Sequence, residues 1–151
     1  MEFTVANSRT MYTFFPEEGE DWPNLFECLA DALRERDPNT FIRSVDNADD
    51  PIRPGPPELW FGITIADEEL DGFAAHTPTG VALKDATPAL AAEFAHWLRD
   101  KVTPSGAGIT FNTSWGLEDD MPSELLPHGW LAETRELIEQ HVTDAVDLNE
   151  E

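Results

Sequence analysis

The segment ELWFGITIAD, residues 58–67, carries the strongest strand pattern in the sequence. It is rich in aromatic and β-branched residues, with prolines before it and acidic residues after it. Such a composition fits the pleated, partly buried surface of a sheet, and we expect this segment to be a central strand. The flanking segments decide what packs against that sheet.

On the C-terminal side, two weaker strand patterns over residues 70–76 and 81–85 are separated by the turn residues TPTG, which predicts a hairpin. Thr87 and Pro88 then predict the N-cap and first position of a helix. The break TPSGAG ends this helix, a strand is expected over residues 108–114, and a last helix over residues 130–146. The expected apolar stripe of the first of these helices is Leu90, Phe94, Trp97 and Leu98.

On the N-terminal side, residues 40–46 read as a strand, followed by the proline-rich loop NADDPIRPGPP. Before it, residues 17–36 contain a helical pattern that Asp37 and Pro38 end. At the start of the chain, residues 3–6 and 10–15 flank the turn-prone pair Asn7 and Ser8 and predict a hairpin. The apolar face of the helix is Trp22, Leu25, Phe26, Leu29 and Leu33.

Strands cluster in this pattern, and helices interleave without the regular alternation that a parallel sheet demands. We therefore expect an α+β fold: a mostly antiparallel sheet of about five to seven strands packed by three helices, in the order ββαββββαβα. Residues 1–146 are expected to form a single domain, because a chain of 151 residues is too short for two comfortable cores. The acidic tail, residues 147–151, is expected to fray.

Charge is the most informative feature of the composition. Nine basic residues against 31 acidic ones give a formal net charge of -22, which repels nucleic acids and anionic membranes and attracts basic proteins. Five tryptophans and nine phenylalanines indicate a folded chain despite this charge. Cys28 is the only cysteine, and the chain has neither a signal-peptide pattern nor about 20 consecutive apolar residues. We therefore expect a cytoplasmic protein.

Motifs of known chemistry do not emerge from the sequence. Gly106 and Gly108 precede a strand, whereas a phosphate cradle opens a helix, and no serine occupies a G-x-S-x-G elbow. Glu93 and His96 form one E-x-x-H pair, but a di-iron bundle uses two such pairs with two further glutamates. Cys28 falls inside a predicted helix. We expect no catalytic residues, no metal ligands and no cofactor.

Acidic residues cluster in loops beside aromatic residues, as in EEGEDW, ADEEL and LEDDMP. The consecutive carboxylates of the last loop lack the alternating spacing of a calcium loop, so we interpret them as contacts to a basic partner. Tryptophans are enriched at binding hot spots and provide candidate anchors, with Trp22 as a further candidate. The predicted partner-binding residues are Glu118, Asp119, Asp120, Trp115, Trp130, Glu68 and Glu69.

Three hypotheses for function follow. In size and charge the chain is similar to the immunity or antitoxin proteins that neutralise a toxin by covering its basic active-site cleft, and this is our leading hypothesis. An acidic secretion-type chaperone is an alternative, which predicts a dimer with an exposed apolar groove for a client segment. A third is a metal-dependent enzyme or a housekeeping domain with a halophile-type surface, since only two lysines accompany seven arginines.

Overall fold

A computed structural model of the chain describes residues 5–45, 52, 57–76, 79–104, 106–118, 121–127 and 131–149. For Ala6, Trp115, Glu118 and residues 147–149, the backbone is described without the side chain. Most of the expected proline-rich loop, residues 47–57, lies outside these ranges. The elements are β1 (Thr10–Pro16), α1 (Leu25–Arg36), β2 (Ile42–Val45), β3 (Glu58–Ile65), β4 (Glu68–His76), β5 (Thr79–Ala86), α2 (Pro88–Lys101), β6 (Ile109–Thr113), α3 (Ser114–Glu118), β7 (Glu124–Leu125) and α4 (Leu131–Asn149).

The predicted α+β class is confirmed, and so is the predicted order of strands and long helices from β1 onward. Two small elements, α3 and β7, lie between β6 and α4, where no further helix or strand was expected. The last helix, α4, continues to Asn149, past the expected end at residue 146.

The seven strands form one sheet in the order β2-β3-β4-β5-β1-β6-β7, and every neighbouring pair is antiparallel. The middle strand is β5, so the expectation that β3 is central is wrong: it lies next to the edge strand β2. The strong pattern of β3 reflects alternate burial, which a strand near an edge also shows. Its core-facing side chains are buried, whereas Trp60 on its other face is 40% exposed.

The predicted first hairpin is also wrong over its described residues. Val5–Asn7 forms a 3-10 turn instead of a strand. Ser8 closes this turn, because its backbone N–H donates to the Val5 carbonyl at 3.1 Å and its hydroxyl donates to the same oxygen at 2.7 Å. Serine hydroxyls compete with strand pairing in this way. Asn7 and Ser8 therefore do form part of a turn, but it is a 3-10 turn and not the connection of a hairpin.

The three long helices α1, α2 and α4 pack on one face of the sheet. Phe94 of α2 lies at the centre, with its ring centroid 5.6 Å from that of Phe14 and 6.1 Å from that of Phe61. Buried residues of α1 and α4, such as Leu29 and Ile138, belong to the same core cluster. Burying each side chain of this size contributes about 1.5–3 kcal/mol, so this face holds the fold together.

The start of α2 and the residue Trp22 before α1 bear on two expectations from the sequence. The Thr87 hydroxyl accepts a hydrogen bond from the Leu90 N–H at 3.4 Å, and Pro88 occupies the first turn, so the predicted N-cap of α2 is confirmed. Trp22, just before α1, is only 2% exposed and belongs to the core. Its indole is enclosed by this chain, which removes Trp22 from the candidate anchors for a partner.

Candidate binding face of the sheet

The second face of the sheet, opposite the three long helices, carries a row of paired side chains that crosses six strands. The row is Arg43, Trp60, Phe73, Ala82, Thr13 and Asn112, from β2 to β6. Because side chains alternate along a strand, each member points away from the core residues on either side of it in sequence. This surface is called the open face, although it is covered at its β6 end, where Asn112 is buried and donates to the Met121 carbonyl and the Ser123 hydroxyl.

At one end of the open face, a lysine lies over two aromatic rings. Lys84 Nζ is 5.5 Å from the centroid of Trp60 and 5.5 Å from that of Phe73. The Trp60 Nε1–H donates to Glu58 at 3.1 Å, which holds the indole in place. A cation over an aromatic face is attracted by the ring quadrupole, so Lys84 and the rings stabilise one another.

Beside Phe73, small residues leave a depression in the open face. Ala75, Gly80 and Ala82 form its floor, and the rings of Phe15 and Phe73 stand on either side. Cross-strand pairing of Ala75 with Gly80 places the two smallest side chains together, so the space above them is unfilled. The resulting cavity, about 650 Å³ in volume, is called the sheet groove.

An acidic loop, residues 17–21 with the sequence EEGED, forms one wall of the sheet groove. It begins where β1 ends at Pro16. The Glu20 N–H donates to the Glu17 carbonyl at 2.8 Å, and Gly19 at the third position of this turn has a φ of 87°. That backbone conformation favours glycine, so the local sequence sets the shape of the acidic loop.

The acidic loop is anchored to the start of β6. The Glu17 N–H donates to the Gly108 carbonyl at 3.3 Å, and the Gly108 N–H donates to the Glu20 carboxylate at 2.9 Å. Glu18 and Asp21 are exposed and make no hydrogen bond or ion pair with any residue that the structure describes. The Glu17 backbone and the Glu20 carboxylate therefore hold the loop, and the carboxylates of Glu18 and Asp21 remain available at the rim.

Leu117 of α3 lies at the rim of the sheet groove and is 52% exposed. The predicted carboxylate cluster follows it directly: Glu118 is described by its backbone only, and Asp119 and Asp120 lie outside the described residues. The chain resumes at Met121, whose N–H donates to the Gly116 carbonyl at 2.8 Å. Of the predicted anchors nearby, Trp115 is described by its backbone only and Trp130 lies outside the described residues.

The other two predicted contacts behave differently. Glu68 accepts two hydrogen bonds from the Arg9 guanidinium, at 2.7 and 2.8 Å, and this pairing lowers the pKa of Glu68. Arg9 also donates to the Asp85 carbonyl, which joins the turn between β3 and β4 to the end of β5. Glu69 is exposed on the open face, opposite Thr64. Glu68 thus has an internal partner, and Glu69 faces solvent.

A buried polar network lies at the far end of the sheet, between β6, α3, β7 and α4. The Glu124 carboxylate is 2.6 Å from His141 Nδ1, and His141 Nε2 is 3.1 Å from the Thr113 hydroxyl. The Gly116 N–H donates to that hydroxyl at 3.0 Å. Since a carboxylate only accepts, Nδ1 carries a proton, and in the neutral ring Nε2 accepts from Thr113. Both ring nitrogens of His141 and the Thr113 hydroxyl then have hydrogen-bond partners.

This order of carboxylate, imidazole and hydroxyl is also that of a hydrolase triad. Here, however, Thr113 is fully buried, His141 is 1% exposed, and Gly116 packs directly against both side chains. A substrate carbonyl has no room beside the hydroxyl, so the network serves to join four elements. Sequence spacing does not reveal this network, because Glu124 is 17 residues from His141 in the chain and reaches it only through tertiary folding.

The two members of the E-x-x-H pair on α2 have different surroundings. Glu93 is exposed, whereas the His96 Nε2 is 2.9 Å from the Thr134 hydroxyl on α4. Burial, followed by the nearby charge of Arg99, lowers the pKa of His96. The hydrogen bond between His96 and Thr134 therefore fastens α2 to α4. Among the described residues, no group of three or more His, Cys, Asp or Glu side chains is arranged to hold a metal ion.

No known family model, curated protein or solved structure matches this chain. Within the described residues, no helix is both long and apolar enough to cross a lipid bilayer.

Proposed function

We propose that the chain is an acidic protein-binding module that neutralises a basic partner protein, in the manner of an immunity protein or antitoxin. The observation that carries this proposal is the sheet groove, an apolar cavity on the open face with an acidic loop as its wall. Binding occludes the active-site cleft of the partner. A cleft that handles anionic substrates is basic and attracts this chain for the same reason that it attracts its substrate.

The two parts of the site make different contributions to binding. Apolar surface such as Phe15, Phe73 and Leu117 provides affinity when it is removed from water. The surrounding carboxylates accelerate encounter with a basic surface and exclude acidic or neutral ones. With a net charge of -22, this electrostatic steering acts over the whole molecule and not at the groove alone.

A chaperone function is the second candidate, and the open face supports it as well, because an uncovered sheet surface can hold an extended client. The two functions differ in the state of the partner. An inhibitor binds a folded protein and suppresses its activity, whereas a chaperone binds an unfolded segment and leaves folded proteins unbound. The proposal of inhibition is therefore tested on a folded partner with a measurable activity.

The product of the neighbouring gene is the partner to test, by co-expression, co-purification and calorimetric titration. We expect a one-to-one complex with nanomolar or tighter affinity and loss of the partner's activity. Raising the salt from about 0.1 to 0.5 M shortens the Debye length and is expected to weaken binding by about tenfold or more. A neighbour that lacks a basic domain, or one that is neither bound nor inhibited when folded, contradicts the proposal.

A further inference from the structure

We infer that the sheet groove receives a segment of the partner that carries an apolar side chain flanked by arginine or lysine. The inference rests on the proposed function and names the part of the chain that performs it. Two features of the groove define the segment that binds there. Its apolar floor disfavours charged side-chain ends, and its acidic wall favours cationic side chains beside it.

The apolar part of the occupant follows from the floor and sides. Ala75, Gly80 and Ala82 present little more than backbone and methyl groups, and the rings of Phe15 and Phe73 flank them. The volume, about 650 Å³, falls within the range of about 300–1,000 Å³ that is typical of ligand pockets. It exceeds the size of one side chain, so a short segment of the partner fits rather than a single residue.

The cationic part follows from the acidic loop. The Glu17 N–H donates to the Gly108 carbonyl and the Glu20 carboxylate accepts from the Gly108 N–H, so the loop is ordered before any partner arrives. Glu18 and Asp21 remain exposed at the rim and are ready to accept charge-assisted hydrogen bonds from a guanidinium or ammonium group. A site organised in advance loses less conformational entropy on binding.

The position of Lys84 sets the orientation of the bound segment, and the net charge of the chain excludes a second copy as the occupant. Lys84, over Trp60 and Phe73, places a positive charge at the opposite side of Phe73 from the acidic loop. The cationic end of the segment therefore lies toward residues 17–21. A second copy of this chain carries the same net charge of -22 and is repelled, so self-association does not fill the groove.

The first experiment uses a synthetic probe, the capped peptide Gly-Arg-Leu-Arg-Gly, titrated into the ¹⁵N-labelled protein. We expect amide shifts to change in residues 13–21 and 73–82, with millimolar affinity. Peptides with serine in place of leucine, or glutamate in place of both arginines, are expected to bind at least about tenfold more weakly. Equal affinity for the serine peptide, or shifts spread over the acidic surface without concentration at the groove, overturns the inference.

The second experiment changes the groove in the full-length protein. Ala75→Phe fills the cavity from its floor, and the double variant Glu18→Gln with Asp21→Asn neutralises the rim. Each is expected to weaken binding of the Arg-Leu-Arg peptide, and of the partner if one is known, by about tenfold or more. Matched controls are Thr64→Phe, elsewhere on the open face, and Glu27→Gln with Glu93→Gln, exposed on the helical layer.

Folding of each variant is checked by its thermal unfolding and by the dispersion of its amide spectrum. If the partner binds Ala75→Phe and the rim variant as tightly as it binds the controls, the groove inference is wrong while the proposed function stands. If no basic partner binds the unmodified protein, the proposed function is wrong, whatever the peptide does.

Discussion

Replacing Thr113 with valine tests the buried polar network most directly. Valine has the same shape as threonine and favours a strand, so the substitution removes the hydroxyl and little else. It deprives two groups of their partner: the His141 Nε2 at 3.1 Å and the Gly116 N–H at 3.0 Å. The side chains of Thr113 and His141 are almost fully enclosed, so water cannot take the place of the hydroxyl.

Leaving a buried donor or acceptor without a partner costs about 1–3 kcal/mol. Two such groups, with partial relaxation of the histidine, give an expected loss of about 2–4 kcal/mol in the free energy of unfolding. This is a large part of the roughly 5–15 kcal/mol that is typical of a domain. For a chain of this length, a loss of that size lowers the melting temperature by roughly 5–15 °C.

Urea unfolding followed by far-ultraviolet circular dichroism measures the loss, and Thr110→Val provides the control. Thr110 belongs to the same strand but lies half-buried on the open face, so its replacement is expected to change stability by less than about 0.5 kcal/mol. Equal effects of the two substitutions refute the reasoning. Combining Thr113→Val with His141→Leu adds a second check, because two changes that remove one shared bond cost less together than the sum of their separate effects.

Three further outcomes are expected. Gly72→Ala destabilises the fold by about 2–4 kcal/mol in urea unfolding, because a methyl group at residue 72 meets the Ala82 carbonyl oxygen and core packing cannot yield. Tyr12→Phe leaves stability unchanged or raises it by about 1 kcal/mol in the same assay, since its hydroxyl is buried without a hydrogen-bond partner among the described residues; a clear loss would reveal a partner. His96→Gln reduces the fall in stability on acidification. Burial and Arg99 lower the pKa of His96, so the stability that the neutral ring contributes is complete above the usual pKa of 6.5 and is lost as the pH falls toward the folded-state pKa. Melting temperatures measured at several pH values test this, and an equal fall in both proteins on acidification contradicts it.

Local sequence signals predicted much of the fold. The threonine and proline at residues 87 and 88 set the start of α2, and the turn after residue 76 joins two strands that do pair. These features depend on neighbours within a few residues, which a sequence displays. The position of each strand in the sheet depends on distant residues instead. The strong pattern of β3 therefore identified a strand correctly and its place in the sheet incorrectly.

The candidate site also combines residues that form a sequence pattern with residues that only the pairing of strands brings together. Acidic residues next to aromatic ones in EEGEDW were interpreted as part of a contact surface for a basic partner, which stays a prediction; in the structure, residues 17–21 line the sheet groove. The floor of the groove was missed. Ala75, Gly80 and Ala82 are inconspicuous in the sequence, and only the pairing of β4 with β5 brings them together on the face that the helices leave uncovered. Small residues at outward positions of two neighbouring strands are the signal to look for.

The place of β1 in the sheet has a consequence for how the chain reaches its folded state. Thr13 pairs with Ala82 on one side and with Asn112 on the other, so β1 completes its pairing only after β5 and β6, which follow it in the chain, have been made. Before β5 pairs with it, β1 with its three aromatic residues has two unpaired edges, and one edge stays unpaired until β6 is made; an unpaired edge can pair with another chain. Closing such long loops before any contact compensates for them is slow. The strong mutual repulsion of these chains protects β1 during that interval, so the acidity that we assign to partner binding also serves to prevent aggregation while the protein folds.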